Sequence, residues 1–370
     1  MNKPSESTDL TDRLKELHDI RESIFREVGK VIVGQQDVIE QILVSMFSSG
    51  HVLLVGVPGL AKTLLIRTLS DTLKLDFSRI QFTPDLMPSD ITGTEVIQQD
   101  PTSGERQLRF IRGPVFANMI LADEINRTPP KTQAALLEAM QENQVTVGGT
   151  RHELTEPFMV LATQNPIEQE GTYPLPEALL DRFMMQVQIE YPDEKAELEI
   201  VKRTTSGTKQ SVADTLTAES ILRMTDLIQQ IPVADYVSLF AIRLARLTRL
   251  SQESDAQPDF VPSGLSEPFS EIQQFVRKYI RWGAGPRASQ FMVLGGKARA
   301  ALNGRSCVSL DDIRAIAAPV LRHRIRINFQ ANSDNISGDD VVSRLVSFLD
   351  LIDKNESGID KKLFGSANSG

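Results

Sequence analysis

The chain has 370 residues and a formal net charge of -9, with 41% hydrophobic and 24% charged residues, which is the composition of a folded globular protein and excludes a disordered or fibrous one. Its single cysteine, Cys307, excludes an internal disulfide and a cysteine-rich zinc site, and no HExxH pair is present for a catalytic metal. The negative net charge disfavours a general affinity for nucleic-acid backbones but does not exclude it. Since no apolar run reaches the length of a membrane span and the amino terminus lacks a signal-peptide stretch, we expect a cytoplasmic protein.

The amino-terminal half predicts a helix followed by an α/β domain. Residues 1–29 form a predicted helical leader, because apolar side chains recur there at three- and four-residue spacing: Leu10, Leu14, Leu17, Ile20, Ile24 and Val28. In residues 30–192, apolar bursts of strand length (HVLLVGV, FSRIQF, MILAD, FMVLATQ) alternate with helical segments. Strands separated by helices predict a parallel sheet covered on both faces.

The remainder of the chain predicts helices. Residues 193–330 have helical periodicity and are interpreted as a smaller, all-helical domain, interrupted by an insertion loop at 251–270 that is rich in proline and small polar residues. Residues 331–370 are expected to hold an amphipathic helix, at 339–352, and a flexible tail.

The segment HVLLVGVPGLAKT predicts a phosphate-binding loop between a buried strand and a helix. Two glycines let backbone amides face a phosphate, Lys62 would reach the β- and γ-phosphates, and the Thr63 hydroxyl would bind Mg²⁺. Ala61 stands where GxxxxGK[ST] has its second glycine, which is acceptable if the backbone there is helical. The alternative is a chance glycine turn before an amphipathic helix. The predicted nucleotide-contacting residues are Gly56, Val57, Pro58, Gly59, Leu60, Ala61, Lys62, Thr63 and Leu64.

A second motif, NMILADEINR, is a buried strand that ends in two carboxylates. Asp123 suits a ligand in the second coordination shell of Mg²⁺, and Glu124 suits the base that orients and polarises the attacking water. A pair of carboxylates at this place after a phosphate loop makes a solvated strand end the weaker interpretation.

Three further polar residues are candidates for contact with a γ-phosphate. Asn165 ends the strand FMVLATQN, where a buried amide needs hydrogen-bond partners that a phosphate and the attacking water would supply. Arg182 in LPEALLDRF and Arg287 in GAGPRAS could stabilise the charge of the transferring phosphoryl group. For either arginine alone, a surface salt bridge is the ordinary alternative.

With GVPGLAKT, LADEINR, LATQNP, LPEALLDRF and GAGPRAS in this order, the chain closely resembles the MoxR family of AAA+ ATPases, from about Val31 to about Leu349. The resemblance implies an αβα nucleotide-binding domain and a helical lid, with ATP and Mg²⁺ as cofactors. It assigns Walker A to Lys62 and Thr63, Walker B to Asp123 and Glu124, sensor 1 to Asn165, the arginine finger to Arg182 and sensor 2 to Arg287. Ala61 belongs to the usual pattern of the family, and Val33 and Gly34 would lie beside the adenine.

The resemblance also implies how the protein works. The segments 85–114 and 143–157 have hairpin character and resemble the helix-2 and pre-sensor-1 insertions that face the pore of related rings. Members of the family act as chaperones for metalloenzymes and other complexes, so we expect a homo-oligomer, a hexameric ring, with a von Willebrand factor A domain partner and a protein client. There are two alternatives. One is a nucleic-acid motor, which the negative net charge and the absence of an arginine-rich hairpin tip disfavour. The other is a nucleotide-dependent binding module with little turnover.

Overall fold

The computed structural model describes residues 6–99, 106–168, 170–206, 211–250 and 257–365. They divide into two compact units, one of residues 1–231 and 298–306 and the other of residues 232–297 and 307–370. The boundary between these units differs from the predicted one, which lay between residues 192 and 193. The helices between residues 193 and 231 belong to the first unit. None of the described helices is long and apolar enough to cross a membrane.

The first unit is built around a sheet whose strands, within the described residues, all run parallel. In chain order, the strands of this unit are β1 (His51–Val55), β2 (Phe77–Gln81), β3 (Gly93–Gln99), β4 (Arg106–Arg112), β5 (Met119–Asp123), β6 (Gln144–Val147), β7 (Thr150–Glu153), β8 (Met159–Gln164) and β9 (Phe183–Gln188). The parallel sheet consists of β2, β5, β8, β1 and β9, in that order. Two separate antiparallel hairpins are formed by β3 with β4 and by β6 with β7. The α/β fold with a parallel sheet is therefore confirmed.

Helices cover this sheet because its inner strands are apolar on both faces; β5, for example, is buried along its whole length. The helices of the first unit are α1 (Glu6–Val31), α2 (Gln36–Met46), α3 (Lys62–Thr72), α4 (Pro88–Thr92), α5 (Pro130–Glu142), α6 (Glu177–Leu180), α7 (Glu194–Thr205) and α8 (Ala218–Gln229). The predicted leader corresponds to α1, which packs against α3 and buries Leu14, Leu17, Ile24 and Val28. The side chain of Leu10 lies outside the described residues.

The second unit is mostly helical, as the fold prediction requires. Its helices are α9 (Asp235–Leu247), α10 (Ser266–Tyr279), α11 (Pro286–Leu302), which continues into the first unit, α12 (Leu310–Leu321), α13 (Phe329–Ser333) and α14 (Gly338–Gly365). It also contains a short antiparallel pair that the sequence did not predict, β10 (Ile280–Trp282) with β11 (Arg326–Ile327). The unit is therefore not all helical.

Two predicted irregular segments are partly helical. Residues 251–256 lie outside the described residues, but α10 begins at Ser266, inside the predicted loop. Pro268 is tolerated there because the first turn of a helix has no internal acceptor for its backbone N–H. The predicted flexible tail begins within α14, which continues to Gly365 because no proline interrupts it.

His51, at the start of β1, is a buried titratable group in the core of the first unit. Its Nδ1 accepts a hydrogen bond from the Val160 N–H at 3.1 Å, so Nε2 carries the proton and faces the Met140 carbonyl oxygen at 3.2 Å. Burial lowers the pKa of His51 to about 4. The fold therefore requires the neutral imidazole.

This geometry predicts a pH dependence of stability. Between the ordinary histidine pKa of about 6.5 and about 4, the unfolded chain binds a proton that the folded chain does not. The stabilisation is thus complete above pH 6.5 and is lost as the pH falls, by up to about 1.4 kcal/mol per pH unit from this group. In urea unfolding, the free energy of unfolding should fall more between pH 7 and pH 5 for the wild type than for His51→Gln. The glutamine keeps a hydrogen-bond acceptor and a donor but does not titrate. Equal pH dependence in the two proteins would contradict this.

Candidate functional site

The candidate site lies at the carboxyl ends of the parallel strands. The loop of residues 56–61 follows β1, Glu124 follows β5, and Asn165 follows β8. Because β8 pairs in parallel with both β1 and β5, these three strand ends meet at one edge of the sheet, which is the usual position of ligand sites in parallel α/β folds. They enclose a cavity of about 420 Å³ lined by Pro58, Gly59, Ala61, Lys62, Thr63, Leu64, Asp123, Glu124, Thr163 and Asn165.

The two glycines of the loop are required for different reasons. Gly59 has φ +86° with open space around it, so a side chain there would be strained by the backbone. Gly56 approaches β9 closely: a Cβ at this position would lie 2.7 Å from the Ile189 carbonyl oxygen. Gly56 therefore allows the close packing of the loop against the neighbouring strand, a role that the sequence interpretation had not given it.

Ala61 is not helical. The sequence interpretation accepted an alanine at this position on the assumption of a helical backbone, and that assumption was wrong. It precedes α3 with φ 55° and ψ 25°, in the left-handed region. For a residue with a Cβ this conformation costs about 1–2 kcal/mol. The left-handed turn directs the chain from the loop into α3, whose amino terminus then points towards the cavity with its unpaired N–H groups, as anion-binding helices do.

Lys62 and Thr63 are the first residues of α3 and are both half-buried. The Lys62 ammonium donates to the Gly56 carbonyl oxygen, across the loop. Burial lowers the pKa of Lys62 below its ordinary value, while the negative charges of Asp123 and Glu124 oppose this shift. The lining of the cavity therefore has one cation, Lys62, in electrostatic contact with two carboxylates, Asp123 and Glu124.

The Asp123 carboxylate is held on both oxygens. Oδ1 accepts from the Thr163 hydroxyl at 2.6 Å, and Oδ2 accepts from Arg79 Nη2 at 2.6 Å and from Arg79 Nε at 3.1 Å. Arg79 lies on β2, the neighbouring parallel strand. A carboxylate engaged in this way suits binding to the water shell of a cation, which Mg²⁺ retains in many sites.

Thr163 connects the Asp123 carboxylate to the backbone of Glu124. Its hydroxyl, besides donating to Asp123, accepts from the Glu124 N–H at 2.8 Å. The side chain is almost completely buried, as its residue is only 1% exposed. The sequence interpretation missed Thr163, although a hydroxyl within the apolar run FMVLATQ was the available signal.

Glu124 adopts a left-handed conformation, φ 57° and ψ 48°, which begins a short 3-10 helix, Ile125–Arg127. Its Oε2 accepts from Gln81 Nε2 at 2.9 Å and lies 3.1 Å from Arg127 Nε. Strained backbone of this kind is concentrated at functional sites. Gln81 and Arg127 are contacts that the sequence interpretation did not foresee.

Asn165 has partners in its own loop. Its Nδ2 donates to Glu168 Oε2 at 3.3 Å, and its Oδ1 accepts from the Ile167 N–H at 3.1 Å. The residue is half-buried, one position past the end of β8. The amide therefore has protein partners that the sequence interpretation did not foresee, and the residue lines the cavity.

Val33 and Gly34 precede α2, and the following residue is close to the phosphate loop. Gly34 and Gln35 have φ values of 70° and 57°, and Gln35 Nε2 donates to the Leu60 carbonyl oxygen at 3.4 Å. This contact joins the predicted adenine-side segment to the loop of residues 56–61.

The two candidate arginines are not part of this cavity's lining. Arg182 precedes β9, whose first residue, Phe183, pairs with His51 at the amino end of β1. The phosphate loop follows the opposite end of β1, so the length of that strand, about 13 Å at 3.3 Å per residue, separates Arg182 from the loop of its own subunit. Arg287 is the second residue of α11 and belongs to the second compact unit.

A larger cavity, of about 890 Å³, lies beside α1 and α8, among mixed charges such as Asp19, Lys74, Asp214 and Arg223. Its lining contains neither a glycine loop nor a pair of strand-end carboxylates. The smaller cavity therefore has the chemistry expected of a phosphate site.

The comparisons with known proteins agree with the geometry. The model of the ATPase family associated with various cellular activities (AAA) matches residues 51–185, and that of the AAA lid domain matches residues 272–345. Chaperone MoxR1 of Mycobacterium tuberculosis is 39% identical over 336 residues, which cover 91% of this chain and 83% of that protein. Protein MoxR of Methylorubrum extorquens is 29% identical over 307 residues, covering 81% and 85%.

A solved structure agrees as well. A protein from Cytophaga hutchinsonii, assigned as an ATPase, superposes with a TM-score of 0.80 at 39% identity, covering 93% of this chain and 98% of that one. The chain therefore belongs to the MoxR family of AAA+ ATPases, and it is a nucleotide-binding ATPase with an AAA lid domain.

Proposed function

We propose that the chain binds ATP with Mg²⁺ in the cavity at the carboxyl ends of β1, β5 and β8 and uses its hydrolysis to remodel client proteins. The observation that supports this proposal is the convergence of Lys62, Asp123, Glu124 and Asn165 around one cavity. The name of the Mycobacterium tuberculosis relative, a chaperone, supports a protein client.

Each residue at the cavity has a proposed role. The amides of residues 56–61 and Lys62 bind the β- and γ-phosphates, and Val33 and Gly34 lie beside the adenine. Thr63 would bind Mg²⁺ directly and Asp123 would hold it through its water shell, and the ion would neutralise phosphate charge; a hydroxyl and a carboxylate are hard oxygen donors of the kind that suit this ion.

Glu124 orients the attacking water and accepts its proton, and Asn165 donates to the γ-phosphate or to that water. Arg182 and Arg287 supply cations to the transferring phosphoryl group. The position of Arg182 beside the amino end of β1 supports its action on a neighbouring subunit rather than on its own site. We therefore propose that the chain forms a homo-oligomer, specifically a hexameric ring, and that it works with a partner that contains a von Willebrand factor A domain.

Lys62→Ala and Glu124→Gln test the division between binding and chemistry. Lys62 contacts the phosphates in the ground state, so Lys62→Ala should lose ATP binding, whereas Glu124→Gln should bind ATP normally and lose turnover by at least about 100-fold. Titration with a fluorescent ATP analogue measures binding, and phosphate release measures turnover. Equal loss of binding in both variants would contradict the assigned roles.

Arg182→Ala tests the shared site. The variant should bind ATP but hydrolyse it on the order of 10³-fold more slowly, because a cation supplied in trans is worth about 10³ to 10⁵ in related phosphoryl-transfer enzymes. Mixing Arg182→Ala with Lys62→Ala subunits creates interfaces that pair an intact Lys62 with an intact Arg182, so part of the activity should return. An Arg182→Ala protein that assembles and hydrolyses ATP at the wild-type rate would leave Arg182 as a surface salt bridge.

A nucleic-acid motor is the second candidate, and one observation favours it: β4 carries three exposed arginines, Arg106, Arg109 and Arg112. The net charge of -9 opposes it. We therefore expect duplex DNA to leave ATPase turnover within about twofold of its basal rate at physiological salt. Stimulation that declines steeply with salt, and that disappears when the three arginines are replaced by alanine, would support the motor instead.

A further inference from the structure

Arg127 lies between two carboxylates beside the cavity. The 3-10 helix that starts at Glu124 brings residues three apart onto one side, and the Arg127 N–H donates to the Glu124 carbonyl oxygen at 2.9 Å. The guanidinium then reaches Glu124 Oε2 through Nε, at 3.1 Å, and donates to Glu168 Oε1 through Nη2. A planar guanidinium can hold two carboxylates in fixed directions, which an ammonium cannot do.

Glu168 continues the contacts back to the cavity. Its second oxygen, Oε2, accepts from Asn165 Nδ2 at 3.3 Å. The side chains therefore form a chain, Asn165 to Glu168 to Arg127 to Glu124, whose two ends line the same cavity as Lys62. An isolated surface ion pair has no such geometry and would contribute little.

The backbone under Arg127 is held independently of its side chain. Gln133, on α5, is fully buried, and its Nε2 donates to the Ile125 carbonyl oxygen at 3.3 Å and to the Thr128 carbonyl oxygen at 3.0 Å. The Tyr173 N–H also donates to the Asn126 carbonyl oxygen at 2.7 Å. The 3-10 helix should thus keep its conformation when the Arg127 side chain is removed.

We infer that Arg127 is a positioning residue for ATP hydrolysis: it fixes the direction of the Glu124 carboxylate and couples that carboxylate to Asn165 through Glu168. The inference rests on the proposed role of Glu124 as the base. Arg127 is not among the residues that line the cavity, so its effect on the reaction passes through Glu124. Its contribution is the orientation of Glu124 relative to the attacking water, and small errors in such orientation reduce rates strongly.

Arg127→Ala should lower kcat for ATP about 10- to 100-fold, the range found when partners that orient active-site ligands are removed, with KM and ATP binding within about twofold of the wild type. Arg127→Lys should not restore kcat, because one ammonium cannot hold both carboxylates. Glu168→Gln should lie between the wild type and Arg127→Ala, since its single amide oxygen cannot serve both Arg127 and Asn165. Steady-state phosphate release and titration with a fluorescent ATP analogue provide the two readouts.

Arg314→Ala is the matched control. Arg314 also joins two carboxylates, Asp311 at 2.7 Å and Asp350 at 2.6 Å, and its side chain is 30% exposed against 35% for Arg127. It lies in the second compact unit, outside the cavity lining. Its replacement should leave kcat and KM within about twofold of the wild type.

Two results would overturn the inference. The first is a wild-type kcat in Arg127→Ala. The second is a loss of ATP binding and a fall in the urea midpoint of unfolding that are as large as the loss of turnover, which would indicate a structural role. Glu124→Gln, measured beside these variants, separates this failure from that of the proposed function. If Glu124→Gln loses turnover while Arg127→Ala does not, only the positioning role is wrong. If Glu124→Gln hydrolyses ATP at the wild-type rate, the base assignment fails and the role of Arg127 fails with it.

Discussion

The hydroxyl of Thr163 is the contact on which the geometry of the carboxylate pair depends. It donates to Asp123 and accepts from the N–H of Glu124, at 2.6 Å and 2.8 Å, so a single buried atom fixes the side chain of one acidic residue and the backbone of the next. A buried donor or acceptor without a partner costs about 1–3 kcal/mol. The network is therefore stable only while β5 and β8 remain neighbours in their observed register.

That register also places the other parts of the site. Val55 pairs with Gln164, Ala122 with Ala162 and Gln81 with Asp123, so the ends of four adjacent strands lie within one residue of the same level. Arg79 and Gln81 on β2 contact Asp123 and Glu124 from one side, while the phosphate loop approaches from β1. A shift of one residue along any of these strands would turn its side chains to the other face of the sheet.

Three of the seven non-glycine residues with positive φ in the described part of the chain lie at or beside the cavity. Gln35, Ala61 and Glu124 all have positive φ without being glycine, and each such residue costs about 1–2 kcal/mol. Surrounding contacts maintain these conformations: Gln35 bonds to the Leu60 carbonyl oxygen, and Gln133 holds the turn after Glu124. The strain is thus distributed over the three segments that meet at the cavity, where precise direction of the chain matters more than stability.

The sequence by itself determined the α/β class, the order of the strands along the chain, and the residues that end β1, β5 and β8. Apolar runs of strand length, followed by glycines or carboxylates, are local patterns that depend on burial and backbone freedom, and both are visible residue by residue. The same local reasoning failed for Ala61, for the partners of Asn165, and for the start of α10. At each of these positions, backbone conformation or neighbouring contacts decided the result.

Only the tertiary structure decided which distant residues meet. Arg79, Gln81, Thr163 and Glu168 are ordinary polar residues in sequence, and their contacts with Asp123, Glu124, Asn165 and Arg127 exist because parallel pairing brings separate strand ends together. The separation of Arg182 from its own phosphate loop likewise follows from the register of β9 on β1. Strand order and register are set by packing across the whole sheet, and no local pattern in the chain encodes them.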